Sequence, residues 1–352
     1  MINKKQPIKG RGSSDNPINR FEENYLDYDL DPETGEKPSE KTQFIKEDAR
    51  SIITFNKSQD VPFEASINPY RGCEHGCIYC YARPYHEYLG YSAGLDFETR
   101  IMVKYNAPDL LRKELSSPRW QPQVIAMSGV TDIYQPVERK LELTRKCLQV
   151  LADFRNPVGV ITKNHLITRD IDILGELADY HCIKVTVSIT TLDRDLGRVM
   201  EPRTSSPQKR LEAIRKLSNA GIPVGVNIAP VIPGLTDHEM PAILEEAKKA
   251  GATSAGYIVL RLPFKVKDLF TEWLEDHYPQ KKNKVLNRIR DVRGGKLNNT
   301  EWNKRMKGQG NFAAQIRNLF KVHTHRLGLN EKQHSLTTEH FIKSHGTQMN
   351  LF

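Results

Sequence analysis

Hydrophobic and polar positions divide the chain near residue 63. Residues 1–60 are rich in Asn, Asp, Lys and Pro and show no sustained hydrophobic period, which predicts a largely disordered N-terminal segment. From Phe63 onward, short apolar runs alternate with segments of helical period, a pattern typical of repeated βα units that build a parallel sheet. The predicted strands are SINPY (66–70), QVIAMSG (123–129), PVGVITK (157–163), IKVTVSIT (183–190), IPVGVNIAPVI (222–232) and SAGYIVLRL (254–262).

Three predicted helices lie between these strands. Residues 136–154 open with a proline in the first turn, where its missing N–H costs nothing, and residues 206–220 open with Ser-Pro. Asp237 is expected to cap the third helix, 238–250, and the last two helices each end at a glycine. Six strands are too few for a closed eight-stranded barrel, and no glycine fingerprint of a dinucleotide fold is present. The predicted fold class is therefore α/β, a partial (β/α)6 TIM-like barrel over residues 61–263.

The alternation stops after Leu262. Segments 265–278, 281–292 and 311–329 have helical period and carry many Lys and Arg, so residues 264–330 are predicted to form a basic helical extension. Residues 331–352 remain as a C-terminal tail. No run approaches the roughly 18 apolar residues of a spanning helix, which predicts that the protein does not cross a membrane. The N-terminus lacks the apolar stretch of a secretory signal, so we expect a cytoplasmic protein.

The net charge of +9 is concentrated at one end of the 352-residue chain. Residues 281–352 contain 15 Lys and Arg but four Asp and Glu, a net charge of +11, which leaves −2 for all the others. Residues 21–40 hold eight acidic residues and one Lys, the composition of a solvated tail. Any affinity for polyanions is therefore expected in the C-terminal segment.

Three of the five cysteines are packed into eight residues directly after the first predicted strand. Cys73, Cys77 and Cys80 have CxxxCxxC spacing, which lets three thiolates bind three irons of a [4Fe-4S] cube and leaves the fourth iron open. Gly72 and Gly76 precede the first two ligands and allow sharp turns.

Two alternatives for the cysteines stay open. A structural zinc site would need a fourth ligand, for which His75 or His86 is in reach, or the three thiols are ordinary buried side chains. Cys147 and Cys182 have no ligand spacing and sit in apolar surroundings, so both are predicted to lie in the core.

The segment around these cysteines and several strand ends resemble a known family. The string CEHGCIYCYARPYH, together with TDIYQPVE, ITKN, VSITTLDRDLGRVMEPRTSSPQKRLEAI and IAPVIPGLTD, resembles the radical S-adenosylmethionine (SAM) superfamily and its spore photoproduct lyase-like branch. The resemblance covers roughly residues 63–262. It implies a barrel of radical SAM type, a [4Fe-4S] cluster that reduces SAM to methionine and a 5′-deoxyadenosyl radical, and hydrogen abstraction from a substrate. It also implies an electron donor such as flavodoxin or ferredoxin.

Cofactor sites in such barrels lie at the C-terminal ends of the strands. Strand two ends in Ser128-Gly129, whose exposed carbonyls, with the Asp132 carboxylate, suit the methionine ammonium or the ribose hydroxyls of SAM, and Lys163 at the end of strand three suits its carboxylate. The residues that the resemblance implies as SAM contacts are Thr131, Asp132, Lys163, Ser188 and Ala229, with Tyr79 approaching the adenine.

Each of these positions has a simpler interpretation. Asp132 could be a turn residue, Lys163 a solvated strand end, and Tyr79 a packing residue. Arg203 could hold a carboxylate or form a surface salt bridge.

The resemblance breaks at one position that bears on the substrate. The spore lyase carries a further cysteine immediately before the Thr/Ser-Asp pair of strand two, which returns a hydrogen atom to the repaired thymine. Here that position is Val130, whose isopropyl group cannot do this. The resemblance therefore implies the cofactor chemistry but leaves the substrate and the catalytic residues unassigned.

The C-terminal segment interleaves its cations with Trp302, Phe312 and Phe320, a mixture suited to phosphate neutralisation and base stacking. We therefore expect residues 281–352 to bind nucleic acid, although solubility alone can produce such a surface. The chain ends with Gln348 to Phe352, QMNLF, which resembles the pentapeptide by which bacterial DNA-processing enzymes bind the sliding clamp. The alternative is a tail that folds back on its own domain.

Three functions follow from these patterns. The first is a radical SAM enzyme that repairs or modifies a base in DNA or RNA. The second keeps the chemistry but acts on a protein or a small molecule. The third is a metal-stabilised, non-catalytic nucleic-acid-binding protein.

Overall fold

The computed structural model describes residues 8–21, 41–331 and 334–343. Ten strands form within these ranges and are numbered along the chain. They are β1 (Gln43–Lys46), β2 (Thr54–Phe55), β3 (Ala65–Ile67), β4 (Tyr70–Arg71), β5 (Arg100–Val103), β6 (Ile125–Met127), β7 (Val158–Thr162), β8 (Ile183–Ser188), β9 (Val224–Val231) and β10 (Ser254–Val259).

The larger sheet contains six parallel strands in the order β3-β6-β7-β8-β9-β10, and β2 adds to its β3 edge in antiparallel orientation. These six strands overlap the six predicted from the sequence. In the described part of the chain β10 does not pair with the opposite edge, so the barrel is open on one side. The predicted fold class, a partial (β/α)6 barrel, is confirmed.

The helices of the described residues cover the outside of this sheet and extend beyond β10. They are α1 (Asp96–Thr99), α2 (Ala107–Ser116), α3 (Glu138–Leu141), α4 (Leu143–Asp153), α5 (Ile171–Asp179), α6 (Arg194–Met200), α7 (Pro207–Asn219), α8 (Met240–Lys249), α9 (Val266–His277), α10 (Pro279–Val292), α11 (Lys304–Lys307) and α12 (Gly310–Arg326). Three 3-10 helices span Arg83–Leu89, His165–Asp170 and Asp237–Glu239. None of the described helices is long and apolar enough to cross a bilayer.

The core lies between the sheet and these helices. Successive side chains of a strand point to opposite faces, and in β7 and β8 fully buried residues alternate with half-buried ones. Val158, Val160 and Val185 belong to the main hydrophobic core. The half-buried set, which includes Lys184 and Thr186, lies on the opposite face. The inner face of the barrel is therefore more polar and more accessible than the face packed against the helices.

Local helix signals were read correctly in some places and not in others. The Ser206 side chain accepts a hydrogen bond from the backbone N–H of Lys209 at 3.4 Å, as a cap of α7. The single helix predicted over 136–154 is broken at Glu142, where φ is +53°, and becomes α3 and α4.

Asp237 does not cap α8, contrary to the prediction. Its carboxylate accepts a hydrogen bond from the backbone N–H of Gly234 at 2.6 Å and lies in the 3-10 turn that precedes the helix. The turn satisfies the aspartate locally, so α8 begins three residues later.

The N-terminal region differs most from the prediction. Residues 8–21 and 41–60 take defined positions, so the expected disorder of segment 1–60 does not apply to them. β1 pairs in parallel with β5, and β5 pairs with β4, to form a second, three-stranded sheet. Residues 8–21 are held mainly by hydrogen bonds, which a hydrophobic pattern does not register, whereas Ile52 and Ile53 are buried in the main core.

The C-terminal extension agrees with the prediction for its long helices α9, α10 and α12. Arg293, which is buried, joins it to the barrel by donating hydrogen bonds to the carbonyls of Val259 and Leu260 at 2.7 and 3.1 Å and of Lys304 and Arg305 at 3.1 and 2.8 Å. Burial lowers the pKa of Arg293 to about 10. The predicted clamp-binding peptide, 348–352, lies outside the described residues.

A second attachment reaches the other edge of the open sheet. Asp60, in the loop between β2 and β3, accepts hydrogen bonds from Arg305 Nε at 2.5 Å and from the backbone N–H of Asn303 at 2.8 Å. Because α11 also packs against β10, this bridge joins the two edges that the sheet leaves unpaired.

Candidate radical SAM site

The loop that carries three cysteines, residues 72–80, follows β4 and is called the cysteine loop below. Gly72 and Gly76 have φ values of +78° and +66°, which confirms the prediction that glycines allow sharp turns before the first two cysteines. The backbone N–H of Cys73 donates a hydrogen bond to the carbonyl of Phe97 at 2.8 Å. The start of the loop is thus attached to α1 by a backbone hydrogen bond.

A buried ion pair supports this loop. Arg83 Nη2 lies 2.6 Å from Glu98 Oε1, and both side chains are fully buried. Arg83 also donates hydrogen bonds to the carbonyls of Gly76 at 3.2 Å and Cys77 at 3.0 Å. Neither charged residue was predicted from the sequence, although Arg83 stands three positions after the last cysteine of the loop.

The three thiols are close enough to influence one another. Cys73 and Cys77 are buried and Cys80 is half-buried. Burial raises the pKa of all three thiols, and the pKa of Cys73 is raised further by Asp132 and by the other two cysteines. A raised pKa keeps these thiols protonated in the metal-free protein. Metal coordination favours the thiolate, so binding of a metal would release their protons.

The donor set fits an iron–sulfur cluster better than zinc. Among the described residues, no three His, Cys, Asp or Glu side chains converge as the ligands of a single metal ion do. A closed zinc site needs four such ligands, whereas a [4Fe-4S] cube takes one thiolate on each of three irons. His75 is engaged elsewhere, with Nε2 3.2 Å from Asn164 Nδ2 and Nδ1 3.4 Å from Asp132 Oδ2. His86 packs edge-to-face on Phe97 with ring centroids 5.7 Å apart.

Asp132 joins two strand ends to the cysteine loop. Its carboxylate accepts hydrogen bonds from Thr162 Oγ1 at 2.8 Å and from the backbone N–H of Lys163 at 2.7 Å, besides the contact with His75. Asp132 therefore has a structural role in joining these segments. Its contact with SAM stays a prediction.

Lys163 lies in a buried polar network that was not predicted from the sequence. Its ammonium donates to the Ala229 carbonyl at 2.7 Å and lies 3.4 Å from Glu201 Oε1. Burial lowers the pKa of Lys163 to about 8, and nearby Arg210 lowers it as well. Glu201 and Arg210 form a buried ion pair. The available signal was the acidic residue in MEPRTSS, two positions before Arg203.

Tyr79 is buried, and its hydroxyl donates a hydrogen bond to Glu201. The Tyr79 ring lies 5.8 Å from Lys163 Nζ, so the cysteine loop and the end of β7 meet here. Its approach to an adenine stays a prediction, since the structure describes its hydroxyl as part of the buried network.

The other predicted contacts lie at the same ends of the strands. Ser128 follows β6 with φ of +81°, a left-handed conformation that is strained for a serine. Thr131 is buried and its hydroxyl donates to the Tyr70 carbonyl at 3.1 Å. Ser188 ends β8, and its carbonyl accepts from Arg210 at 3.1 Å. Their roles as SAM contacts stay predictions.

Two further sequence predictions have direct outcomes. Arg203 forms a salt bridge with Glu74 at 3.0 Å, so its charge is already paired. Cys147 and Cys182 are both fully buried in the main core, as predicted.

Exposed aromatic side chains follow the cysteine loop, and one of them, Tyr81, reaches the mouth of the barrel. Tyr81, Tyr85 and Tyr88 are 40%, 55% and 66% exposed. The Tyr81 hydroxyl donates to the Gly129 carbonyl at 2.6 Å, so one carbonyl predicted to face SAM already has a donor. Arg261 lies over the Tyr81 ring, 5.3 Å from its centroid. This rim offers ring faces and a cation to a substrate.

Comparisons with known proteins agree with this geometry. The model of the family described as "Radical SAM superfamily" matches residues 67–247 of this chain. An uncharacterised protein of Mycobacterium tuberculosis is 37% identical over 234 residues, 66% of this chain and 68% of that protein. One of Methanocaldococcus jannaschii is 32% identical over 240 residues, 68% and 85% of the two chains. The structure of spore photoproduct lyase complexed with dinucleoside spore photoproduct has a similar fold, with a TM-score of 0.59, 18% identity, and coverage of 81% of this chain and 80% of that one.

Proposed function

This chain belongs to the radical SAM superfamily, and we propose that Cys73, Cys77 and Cys80 hold a [4Fe-4S] cluster with which it cleaves SAM. With the cluster bound and reduced, SAM gives methionine and a 5′-deoxyadenosyl radical that abstracts a hydrogen atom from the substrate. The observation that carries the proposal is the donor set: three thiols with CxxxCxxC spacing on one glycine-hinged loop beside the strand ends.

Lys163 is suited to bind the SAM carboxylate. An ammonium has three N–H donors. In the described residues the Ala229 carbonyl takes one, and Thr190 and Glu201 together take another at 3.4 Å, which leaves a third for an incoming carboxylate. Asp132 acts as a positioning residue, because its carboxylate fixes the Lys163 backbone.

The proposal includes a protein electron donor such as flavodoxin or ferredoxin. A cavity of about 400 Å³ lies beside the cysteine loop; its lining includes the cations Lys9, Arg11 and Lys41, and also Arg203, which is paired with Glu74. The backbone N–H of Arg203 donates to the carbonyl of His75 in the loop at 3.3 Å. A cationic surface so close to the cluster suits an acidic partner.

A base in nucleic acid is the proposed substrate class. Phosphate neutralisation needs unpaired cations. Within the described residues, several exposed cations of α10 and α12 have no carboxylate within 4 Å, namely Lys281, Lys284, Arg290, Arg317 and Lys321. The exposed tyrosines that follow the cysteine loop add stacking faces. The structurally similar lyase is bound to a dinucleoside, which is consistent with this choice.

Val130 argues against spore photoproduct repair as the reaction. Its side chain is 42% exposed at the end of β6, where the lyase-like pattern requires a hydrogen-donating cysteine. A C–H bond of an isopropyl group is too strong to return a hydrogen atom as a thiol does. We therefore propose modification or repair of a different base.

Anaerobic reconstitution with iron and sulfide tests the cofactor. The wild type is expected to gain a broad visible absorption and to release 5′-deoxyadenosine from SAM with dithionite. Cys77→Ala should lose both signals, while the matched control Cys147→Ala, which removes a core thiol, should keep both. Zinc without visible absorption, or retention of both signals in Cys77→Ala, would contradict the proposal.

Isotope transfer tests the substrate. Deuterium-labelled cellular nucleic acid, protein and small metabolites are offered separately to the reconstituted enzyme, and label in 5′-deoxyadenosine is measured by mass spectrometry. Transfer from nucleic acid supports the proposal. Transfer from protein or metabolites alone would replace it with the corresponding substrate class.

A further inference from the structure

Residues 8–21, called the N-terminal arm below, lie directly against the cysteine loop. Gly12 is buried, and a Cβ placed on it would lie 1.7 Å from the carbonyl oxygen of Gly76 and 3.2 Å from the backbone nitrogen of Ile78. No side chain fits in this space, so only glycine allows the two backbones to approach so closely. The arm therefore touches the loop between its first and third cysteines.

One buried carboxylate connects the arm to the loop. Glu98 accepts hydrogen bonds from the backbone N–H groups of Gly12 at 3.0 Å and Ser13 at 2.9 Å. The same carboxylate pairs with Arg83, whose guanidinium holds the loop carbonyls. Arm, carboxylate, guanidinium and loop thus form one continuous chain of charge-assisted hydrogen bonds.

The rest of the arm is fastened in the same way. Asn16 and Asp96 exchange two hydrogen bonds: Asn16 Nδ2 donates to Asp96 Oδ1 at 3.0 Å, and the backbone N–H of Asp96 donates to Asn16 Oδ1 at 2.9 Å. Farther along, Arg20 pairs with buried Glu87 at 2.5 Å. The arm has no helix or strand, so these side chains and backbone groups supply the partners that secondary structure would otherwise provide.

We propose that the N-terminal arm is a cover for the cluster: it fixes the backbone between Cys73 and Cys80 and keeps solvent from that side of the loop. The inference rests on the proposed cluster site and assigns it a part of the chain outside residues 67–247. Solvent exposure and backbone hydrogen bonds are the main protein influences on an iron–sulfur cluster. Displacing the arm should therefore loosen the loop and expose the iron.

Gly12→Ala tests the proposal with a single methyl group. Hydrogen exchange of the metal-free protein is expected to be about tenfold faster for the amides of residues 73–80, because the arm hydrogen bonds no longer form. After reconstitution, a chelator should remove iron anaerobically about tenfold faster for the same reason. The matched control is Gly175→Ala in α5, where a Cβ meets nothing within 4 Å, and it should behave as the wild type.

A second variant guards against misfolding of the first. Asn16→Ala removes the paired hydrogen bonds with Asp96 without a clash and should accelerate both processes about threefold. Unchanged exchange in both arm variants, or faster exchange with unchanged iron loss, would overturn the proposal. Exchange in the metal-free protein requires neither iron nor SAM. If the wild type takes up no iron, the proposed function is wrong. Hydrogen exchange of the metal-free protein would still decide whether the arm holds the loop.

Discussion

The N-terminal arm and the C-terminal extension both contact the cysteine loop, but they use opposite kinds of interaction. The arm attaches through backbone amides and buried carboxylates, chiefly Glu98 and Asp96. The extension attaches through apolar side chains, with Trp273 and Phe270 of α9 in the same hydrophobic cluster as Ile78 of the loop. One loop is thus held by hydrogen bonds on one side and by hydrophobic packing on the other.

The difference also concerns charge. The arm side buries carboxylates that accept hydrogen bonds, whereas the extension side buries Arg293, which donates to neutral carbonyls. A buried ion pair that loses one partner leaves an uncompensated charge, while carbonyls that lose a cation leave only unsatisfied dipoles. The two sides should therefore respond differently to the same substitution.

The largest effect is expected for Arg83→Met. This change leaves the buried carboxylate of Glu98 without its cationic partner. It should lower the free energy of unfolding by about 3–5 kcal/mol. Arg293→Met should cost about 2 kcal/mol, because only neutral carbonyls lose their donor. Urea denaturation of the reduced, metal-free proteins measures both.

Arg112→Met provides a control, because Arg112 pairs with Asp153 at the surface. This substitution should lower the free energy of unfolding by less than about 1 kcal/mol. Equal losses for Arg83→Met and Arg293→Met would remove the proposed distinction between the two sides.

An intermediate effect is expected from acid. His86, near the arm, is 1% exposed and packs against Phe97 and Tyr91, and burial lowers its pKa to about 4. The unfolded chain binds this proton near pH 6.5, so the stability that neutral His86 contributes is present above pH 6.5 and lost as the pH falls toward 4. Between pH 7 and pH 5 this loss amounts to about 2 kcal/mol.

His86→Gln should remove that part of the acid sensitivity, measured as the difference in unfolding free energy between pH 7 and pH 5. Arg293 and the apolar side chains that attach the extension do not titrate in this window; His277 of α9, whose pKa burial also lowers, is the same in the variant and the wild type. Identical pH profiles for the variant and the wild type would show that His86 is not the acid-sensitive group.

The smallest effect is expected at the bridge between the sheet edges. Asp60 is nearly buried, and the backbone N–H of Asn303 and then Arg305 hold the pKa of its carboxyl below its usual value. Asp60→Asn keeps the size but removes the charge, and should cost about 1 kcal/mol of unfolding free energy. Asp195→Asn, whose partner Arg198 is exposed, is the control and should change stability little. A loss at Asp60 as large as that of Arg83→Met would make this bridge a principal support of the fold.

The parts of the molecule that are stabilised by hydrophobic packing could be predicted from the sequence. The apolar periodicity of the sequence predicts all six parallel strands and the helices α9, α10 and α12. The arm could not be predicted, because its partners are backbone groups and Glu98 stands far away in the chain. In the site, the cysteines and Lys163 were identified from spacing and strand ends, whereas Glu201 and Arg210 were missed because their role appears only when both side chains are buried together.

Gly12 and Glu98 are 86 residues apart in the chain, and this separation sets an order of events during synthesis. The arm is synthesised before the cysteine loop, yet it cannot attach until that loop and α1 have followed it. The apolar side of the loop is completed last, when α9 and α10 are made. A newly made chain therefore passes through a period in which its three thiols are present but uncovered.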